Sequence, residues 1–457
     1  MTTGTRTASR AAILGWVLFD WAAQPYFTLI MTFIYAPFFA NAVASDPVRG
    51  QALWGFATAA AGLVVAVCSP VLGAVADAAG GRKPWIAAFG AVLVLAAATL
   101  WFGKPSDPAM IPVVLFAFVL GTVAVEFATV FNNAMMPSLV PPERLGRLSG
   151  TGWATGYVGG IISLAVILGF MAADPQTGKT LFGLTPVLGL DPATREGDRA
   201  SGPFTALWFI VFVLPLFLFT PDQPRKLPLG AALHQGLATL SDSLRSLLHY
   251  RNLALFLLAN MIYSDGLVAL FVFGGIFAAS TFGWTTIEIG VFGVLLALTG
   301  TVGAFLGGRL DDRLGPKPVI IGSLVILISS LGAILSIGPD YVAVFRVAPP
   351  VAGRGLFASS AERVYVLIGC CIGFAAGPLQ AASRTLLARL APADRVTQFF
   401  GLFALSGKVT SFMGPLVVAS VTSAFASQKT GMTVLLVFFG AGLLVLTRVR
   451  VPAPSLS

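Results

Sequence analysis

Charged residues are scarce in this chain. Asp, Glu, Lys and Arg together make up 10% of the 457 residues, whereas about 25% is usual for a soluble domain. Histidine occurs only twice and cysteine three times, and Cys68, Cys370 and Cys371 all lie in apolar stretches. Neither a disulfide framework nor a metal centre is therefore expected, and no cofactor is predicted. With 56% hydrophobic residues and a mean hydropathy of +0.88, the sequence predicts an integral membrane protein.

Long apolar runs divide the chain into membrane spans. A helix needs about 20 apolar residues to cross a bilayer. The runs between charged or Pro/Gly-rich breaks are 12–40, 51–76, 84–103, 109–136, 147–172, 204–220, 252–280, 286–308, 318–338, 361–388, 396–424 and 430–447. These runs predict an all-α membrane protein of about twelve transmembrane helices.

The positions of the basic residues predict the topology. The net charge of +9 does not indicate nucleic-acid binding, because the charges collect on alternate loops. If the N-terminus is cytoplasmic, most of the 28 Lys and Arg residues lie on that side, including Arg82, Lys83, Arg144, Arg147 and Arg309. Both termini are therefore expected in the cytoplasm, in a cell membrane of bacterial type.

A short motif occurs twice. Gly73, Asp77 and Arg82 follow the second span, and Gly307, Asp311 and Arg313 follow the eighth. The two aspartates are about 234 residues apart, which indicates an internal repeat with six spans in each half. The sequence thus predicts two six-helix bundles related by pseudo-symmetry, at residues 1–220 and 252–457, joined by an amphipathic cytoplasmic linker at 221–251.

Polar side chains interrupt three spans of the first half. Asp20 and Gln24 lie one turn apart with Thr28 in the first span, so they share a helix face. Thr122, Glu126, Thr129 and Asn133 share a face of the fourth. A carboxylate inside a membrane span suggests a substrate or ion ligand, and the alternative is a cap or a hydrogen bond between helices. Tyr157 in the fifth span lines either the core or a substrate pocket.

The second half carries Asp265, Gln380, Arg384 and Lys408 within its spans. Lys408 lies deep in span eleven, where a lysine needs a protein or water environment and a partner. The spans carry three carboxylates, those of Asp20, Glu126 and Asp265, and this one lysine. The carboxylates that lack a counter-ion should therefore take up a proton or recruit another monovalent cation. Our hypothesis is that Lys408 pairs with Asp265 or Asp20 in one state. Gly266 predicts local loosening of the seventh helix, and Arg384 either serves the site or extends to the interface.

The repeated motif resembles the G-x-x-x-D-x-x-G-x-[RK]-[RK] signature of the major facilitator superfamily. Gly73, Asp77 and Arg82 match it, and Ala78 stands where a basic residue is usual. The glycines allow close helix approach, while Asp77 can cap a neighbouring helix and pair with an arginine in one conformation. We therefore expect a conformational switch at both copies, and the alternative is an ordinary topology-setting loop.

Longer stretches resemble the autophagy-22-like branch of that superfamily, relatives of vacuolar amino-acid effluxers. They are FDWAAQPY, FNNAMMPSLVPPERLGRLSGTGWATGYVGG, FLLANMIYSDG, LQAASRTLLARLAP and QFFGLFALSGKVTSFMGP. Where the family usually continues D-W-A-N-S, this chain has Ala23 and Gln24. The resemblance implies a two-bundle transporter with alternating access, whose spans one, four, seven and eleven line a central cavity.

The leading hypothesis is a monomeric, proton-coupled secondary transporter of a small polar metabolite, with amino acids as the first candidate. A sugar-cation symporter is the second, because an aspartate beside aromatic residues also suits hydroxyl groups. A lipid flippase or a membrane sensor that moves no solute belongs to a different class. An enzyme is not expected, since the chain has no histidine cluster, no nucleophile with a base and no phosphate loop.

Overall fold

The chain folds almost entirely into helices. The computed structural model describes residues 8–44, 47–174, 177–224, 226–228, 230–236, 238, 250–284, 286–349, 356–408, 410–411 and 413–451.

The first half of the sequence forms α1 to α7. Six of these helices are long, and α2 is a single turn. They are α1 Arg10–Pro25, α2 Tyr35–Phe38, α3 Pro47–Ala79, α4 Lys83–Thr99, α5 Ile111–Met135, α6 Leu145–Val166 and α7 Glu196–Phe219. Ser9 starts α1 by accepting a hydrogen bond from the amide of Ala12.

The second half forms α8 to α14. They are α8 Arg251–Phe282, α9 Thr286–Leu314, α10 Pro316–Leu335, α11 Ser360–Leu390, α12 Val396–Lys408, α13 Met413–Phe425 and α14 Gln428–Thr447. A small antiparallel hairpin of β1 Tyr341–Val342 and β2 Phe345–Arg346 lies between α10 and α11, with Tyr341 opposite Arg346. Ser359 and Glu362 form a capping box that fixes the start of α11.

Eleven helices of the described residues are long and apolar enough to cross a membrane. The remaining predicted span, 396–424, is broken: α12 ends at Lys408 and α13 begins at Met413. Pro415 accounts for the break, because it cannot donate to the carbonyl four residues earlier and its ring clashes there. The twelve predicted spans thus correspond to twelve membrane elements, one of them in two pieces.

Contacts between residues divide the chain into two compact units. The first comprises Met1–Pro141, Thr155–Leu240 and Asp394–Gly401, and the second comprises Pro142–Ala154, Ser241–Ala393 and Leu402–Ser457. The predicted division at 1–220 and 252–457 differs from these units in two short segments, 142–154 and 394–401. Residues 142–154 include the first turn of α6, where the amide of Arg147 donates to Asp312 of the second unit. Residues 394–401 include the first turn of α12, where the amide of Gln398 donates to Asp77 of the first unit.

The first span changes its helical form at Pro25. α1 ends there, and Tyr26–Phe33 continue as a π-helix in which Ile34 donates to the carbonyl of Leu29. Proline frees a carbonyl one turn back, and wide turns are frequent at functional sites. The first span therefore continues beyond Pro25 as a widened helix.

The predicted linker is helical over 230–236, and Gly236 packs closely on the backbone of Val75. The expectation of an amphipathic linker rests on leucines that recur at helical spacing from Leu233 to Leu247. Leu233 is exposed. Leu237, Leu240, Leu244 and Leu247 lie outside the described residues.

Candidate functional site

Two hydrogen bonds fix α1 against α5 in the first unit. The indole nitrogen of Trp16 donates to the carbonyl of Asn132 at 2.7 Å. Ten residues later, the hydroxyl of Tyr26 donates to the carbonyl of Phe118 at 2.9 Å and lies 3.2 Å from Thr122 Oγ1. The two helices are antiparallel. The residues midway between Trp16 and Tyr26 therefore lie at the same level as the residues midway between Phe118 and Asn132.

That middle level carries the predicted polar residues. Asp20 and Gln24 lie between Trp16 and Tyr26 on α1, and Glu126 lies between Phe118 and Asn132 on α5. All three side chains are partly exposed, as is Asn133. Asp20 and Glu126 therefore sit at the same depth of the first unit.

The two threonines of the predicted face on α5 differ in exposure. Thr122 is buried against the hydroxyl of Tyr26. Thr129 is partly exposed, and its hydroxyl donates to the carbonyl of Val125 in its own helix. Both hydroxyls therefore already have a hydrogen-bond partner.

Glycines bring α6 directly against the polar face of α1. A Cβ on Gly160 would lie 2.6 Å from Thr28 Oγ1 and 2.9 Å from Gln24 Cγ, and one on Gly159 would lie 3.1 Å from Trp21. Gln24 also donates to Thr28 Oγ1 at 3.4 Å. Tyr157 is partly exposed on the same helix. Because Gly160 has no side chain, α6 lies close enough to contact Gln24 and Thr28 directly.

We expect Gly160→Ala to destabilise the protein. Alanine ordinarily stabilises a helix by up to about 1 kcal/mol relative to glycine, but here the methyl group would displace Thr28 and Gln24, and overpacking costs about 1–3 kcal/mol. The midpoint of thermal unfolding in detergent should fall. Gly62→Ala is the matched control, because a Cβ there meets nothing within 4 Å. Equal midpoints for both variants would contradict this packing.

Trp21, the residue after Asp20, belongs to an aromatic cluster between α1 and α7. Trp21 stacks on Trp208 of α7 with ring centroids 5.5 Å apart, and the Trp208 indole donates to the Trp21 carbonyl at 3.1 Å. Phe212 packs on both rings. Asp20 is thus followed in the chain by a tryptophan that stacks on α7.

In the second unit, polar groups join α8 to α12. Asn260 donates to Ser406 Oγ at 3.1 Å, and Ser264 donates to Asn260 Oδ1 at 3.5 Å. Asp265 is only 3% exposed, and its Oδ1 has no hydrogen-bond partner in the part of the chain that the structure describes. A buried, unsatisfied carboxylate oxygen is costly, and Asp265 is therefore a candidate for the site.

The helix break lies opposite Asp265. Gly414, at the start of α13, packs onto the carbonyl of Asp265 so closely that a Cβ would clash. The loosening that Gly266 predicted in the seventh helix is wrong, because α8 runs unbroken from Arg251 to Phe282. Gly266 instead makes room for Phe438 and Phe439 of α14. The irregular backbone therefore lies between α12 and α13 and not in α8.

Lys408 is the last residue of α12, and its side chain lies outside the described residues. Its backbone lies between two points of contact with α8: Ser406 meets Asn260, and Thr410 lies beside the carboxylate of Asp265. Because the two elements run in the same direction, the level of Lys408 is that of Ile262 and Tyr263. The predicted pairing of Lys408 with Asp265 or Asp20 stays a hypothesis.

Two further predicted residues lie on α11. Gln380 is partly exposed and donates to the Ala376 carbonyl at 3.2 Å. Arg384 does not extend to an interface. It is 4% exposed and donates to Ser149 through Nε (2.8 Å, to Oγ) and Nη2 (2.7 Å, to the carbonyl). Arg384 therefore holds the segment 142–154 in the second unit.

The first copy of the repeated motif caps a helix. Asp77 accepts hydrogen bonds from the amides of Thr397 (3.2 Å) and Gln398 (2.8 Å) in the first turn of α12, and from Arg82 Nη2 at 2.8 Å. Arg82 also donates to Thr397 Oγ1 through Nε and Nη2. A Cβ on Gly73 would lie 2.6 Å from the Thr397 carbonyl. The glycine permits the close approach, and the carboxylate complements the positive end of the helix dipole.

Asp222 belongs to the same region, and sequence reasoning missed it. Its Oδ1 accepts from the amide of Arg82 at 2.8 Å and its Oδ2 from the amide of Lys83 at 3.1 Å. It thus caps α4, as Asp77 caps α12. No local pattern reveals this contact, because about 140 residues separate the partners.

The second copy binds the start of α6. Asp312 accepts from the Arg147 amide at 2.9 Å and pairs with its Nε at 3.3 Å. Asp311, 1% exposed, lies 3.4 Å from Arg389 Nη2 and packs on Gly146. Arg313, which the motif comparison aligned with Arg82, is exposed. In this copy an arginine of α11 therefore occupies the position next to the aspartate.

Arg195 connects the end of the loop that precedes α7 to the first turn of that helix. This residue has a left-handed backbone (φ 54°) and pairs with Asp198 through two hydrogen bonds of 2.7 and 2.9 Å, which raise the pKa of its guanidinium. Hydrogen bonds from Ala193 and Thr194 lower the pKa of the exposed Asp191. An open cleft of about 490 Å³ borders Arg195 and Asp198. It contains none of the predicted site residues, and among the described residues no group of His, Cys, Asp or Glu could hold a metal.

Comparison with known families decides the relationship. The sequence profile described as "Vacuole effluxer Atg22 like" matches residues 51–453. The chain belongs to the vacuole effluxer Atg22-like family. The resemblance predicted from the sequence motifs is thus confirmed.

Two relatives show how far the similarity extends. The Atg22-like chain is 26% identical to the uncharacterized MFS-type transporter YxiO of Bacillus subtilis strain 168, over 94% of this chain and 93% of that protein. It is 28% identical to autophagy-related protein 22 of Cryptococcus neoformans, over 67% of this chain and 50% of that protein. The chain therefore spans about half the length of its fungal relatives.

Solved transporter structures share the fold of this Atg22-like protein. The proton:xylose symporter XylE has a TM-score of 0.68 at 13% identity, covering 96% of this chain and 95% of its own. FucP in the outward conformation has a TM-score of 0.69 at 15% identity, covering 97% and 99%. These values establish the major facilitator fold of twelve helices in two bundles. The protein is a multi-pass membrane transporter and not an enzyme.

Proposed function

We propose that this protein is a secondary active transporter that couples the movement of a small polar metabolite to a proton gradient by alternating access. The observation that carries this proposal is the carboxylate of Asp265, buried beside a broken membrane helix with one oxygen unpartnered in the described part of the chain. A proton-coupled transporter needs an ionisable group that gains and loses a proton as access switches sides.

The physical argument concerns the cost of the buried charge. An ionised carboxylate away from water costs several kcal/mol unless a cation neutralises it. A proton meets this requirement, and so does the ammonium of Lys408 when it reaches Asp265. Binding and release of a proton at Asp265 would therefore alternate with pairing to Lys408.

Residues of the first unit supply the groups for substrate binding. Asp20 and Glu126 at one depth, with Gln24 on α1, Asn133 on α5 and Tyr157 on α6, offer carboxylate, amide and hydroxyl groups. Such a set matches the ammonium and polar groups of an amino acid. Amino acids are the first class to test, because the family resemblance points to them.

A sugar-cation symporter is the second candidate. The stacked pair of Trp21 and Trp208 behind Asp20 offers the aromatic surface on which sugar rings pack, and the carboxylate suits hydroxyl groups. Sugars therefore belong in the same screen.

The proposal is tested with purified protein and proteoliposomes. Amino acids, sugars and phospholipids are screened for a rise in the thermal unfolding midpoint, since a ligand of the folded state stabilises it. Uptake of the best ligand is then measured with and without an imposed pH gradient. Stabilisation by phospholipids alone, with no solute taken up, would instead indicate a flippase or a sensor.

We expect Asp20→Asn and Glu126→Gln to weaken substrate binding. Losing a hydrogen bond to a charged partner should raise the half-saturating concentration by about tenfold or more. Glu143→Gln is the matched control, because Glu143 is an exposed carboxylate in the loop before α6. Unchanged half-saturation in both membrane variants would remove Asp20 and Glu126 from the site.

We further propose that the protein acts as a monomer in a bacterial cell membrane with both termini in the cytoplasm. The support is the excess of Lys and Arg on alternate loops and the bacterial origin of the relative that it matches over nearly its full length.

A further inference from the structure

The loop between α6 and α7 contains an apolar run without a charged residue. Residues 180–190 include no Asp, Glu, Lys, Arg or His, and Lys179 and Asp191 flank them. The run is too short to cross a bilayer, which takes about 20 residues. An apolar run of about 10–14 residues is instead buried in the protein core or lies at the membrane surface.

The structure does not place this run in the core. Its large apolar side chains are exposed, from 42% at Val187 to 87% at Leu188. The others are Leu181, Phe182 and Leu184. Exposed apolar patches mark surfaces that contact a membrane or another protein, so the depth of the run decides between these partners.

The start of the run folds back beside the membrane span that contains α6. The amide of Leu181 donates to the carbonyl of Leu168 at 3.0 Å. Phe182 packs so closely on Gly169 that a Cβ there would clash. The span ends at Met171, so Leu168 lies about one helical turn inside its end. Leu181 and Phe182 are therefore at the depth where lipid begins.

The backbone of the turn 180–184 is suited to a place with little water. The amide of Thr180 donates to the carbonyl of Leu184 at 2.9 Å, and the amide of Gly183 donates to the carbonyl of Thr180 at 2.8 Å. The amide of Leu184 donates to Thr180 Oγ1 at 3.3 Å. Thr180, the one polar side chain of this turn, is buried. Unpaired backbone groups are costly next to lipid, and this turn pairs most of its amides internally.

We infer that the turn 180–184 inserts into the lipid interface beside the adjoining ends of α6 and α7, with Leu181, Phe182 and Leu184 against the upper acyl chains of phospholipids. Interfacial segments bury their apolar side about 5–10 Å into the boundary between headgroups and acyl chains. Lys179, exposed just before the turn, brings an ammonium group to the level of the lipid phosphates. The turn thus anchors the loop to one leaflet, the outer one in the proposed topology.

The test attaches single spin labels to the full-length protein in liposomes of phosphatidylethanolamine and phosphatidylglycerol. Leu181→Cys and Leu184→Cys are made in a background in which alanine replaces Cys68, Cys370 and Cys371. Collisions of each label with O₂, which concentrates in lipid, are compared with collisions with a water-soluble nickel chelate. Both labels should collide more often with O₂. More frequent collisions with the nickel chelate at either position would overturn the insertion.

Ala193→Cys is the matched control in the same loop. Ala193 is exposed between the charged residues Asp191 and Arg195, so its label should collide more often with the nickel chelate. Thermal unfolding midpoints equal to that of the background protein establish that the labelled variants are folded. Dipolar coupling between Leu184 labels on separate molecules would identify a second copy of the chain as the occupant and overturn the lipid assignment.

Photocrosslinking of the wild type gives a readout that needs no variant. The liposomes contain a phospholipid with a diazirine near the start of its acyl chain, and trypsin cleavage after Lys179 and Arg195 then releases the peptide 180–195. A lipid adduct within residues 181–184 supports the insertion. Absence of an adduct from this peptide, while peptides of the membrane spans carry adducts, overturns it.

Discussion

Asp265→Asn is expected to abolish accumulation of substrate in response to a pH gradient in Na⁺-free medium. An asparagine has nearly the shape of a protonated aspartate but cannot release a proton, so the carrier remains in one protonation state. A gradient of one pH unit is worth about 1.4 kcal/mol, which corresponds to about tenfold accumulation by a carrier that moves one proton per substrate. The variant should only equilibrate its substrate.

Counterflow in the same proteoliposomes distinguishes lost coupling from lost folding. Exchange of labelled for unlabelled substrate needs no net proton movement, so Asp265→Asn should retain it. Asp340→Asn is the matched control, because Asp340 is an exposed aspartate near the β-hairpin of the same unit. Normal pH-driven accumulation by Asp265→Asn would refute the assignment of this carboxylate.

Asp77→Ala should produce the largest loss of stability. The substitution leaves Arg82, only 3% exposed, without its counter-ion and leaves the amides of Thr397 and Gln398 without their acceptor. Removing one partner of a buried ion pair typically costs about 3–5 kcal/mol. The thermal unfolding midpoint should fall markedly, and uptake should fall with it because the start of α12 is no longer held.

Asp394→Asn provides a control at the start of the same helix. Asp394 pairs with Arg395 at 3.4 Å, but its side chain is 73% exposed. An exposed pair contributes about 0–1 kcal/mol, so this variant should unfold close to the wild type. If both variants lost similar stability, the burial of the Asp77 pair would not explain its effect.

Much of the fold could be predicted from the sequence because apolar length and charge are local properties. Eleven of the predicted spans coincide with helices long and apolar enough to cross a membrane. The first of them becomes a π-helix after Pro25, and the sixth begins at Glu196 rather than at residue 204. The break in the remaining span also had a local signal, Gly414-Pro415, but the apolar character on both sides favoured one continuous helix. Conversely, Gly266 suggested a break that packing against α14 makes unnecessary.

The chemistry of the candidate site was less accessible, because it depends on which helices meet. The motif predicted that Asp77 caps a helix and pairs with an arginine, but no pattern identified α12 as that helix. Asp222, which caps α4, could not be found for the same reason. Composition also could not distinguish Arg384 extending to an interface from Arg384 buried on Ser149.

Residues 142–154 pack in the second unit and residues 394–401 in the first, so each segment packs with the other half of the sequence. This packing affects how the protein can be divided into fragments. A fragment that ends in the connector contains Asp77 but not the Thr397 and Gln398 amides that donate to it, and Arg82 but not the Thr397 hydroxyl to which it donates. The other fragment contains Asp312 but not Arg147. Neither fragment encodes a complete folding unit, so a split version of this transporter would have to be co-expressed and assembled by complementation.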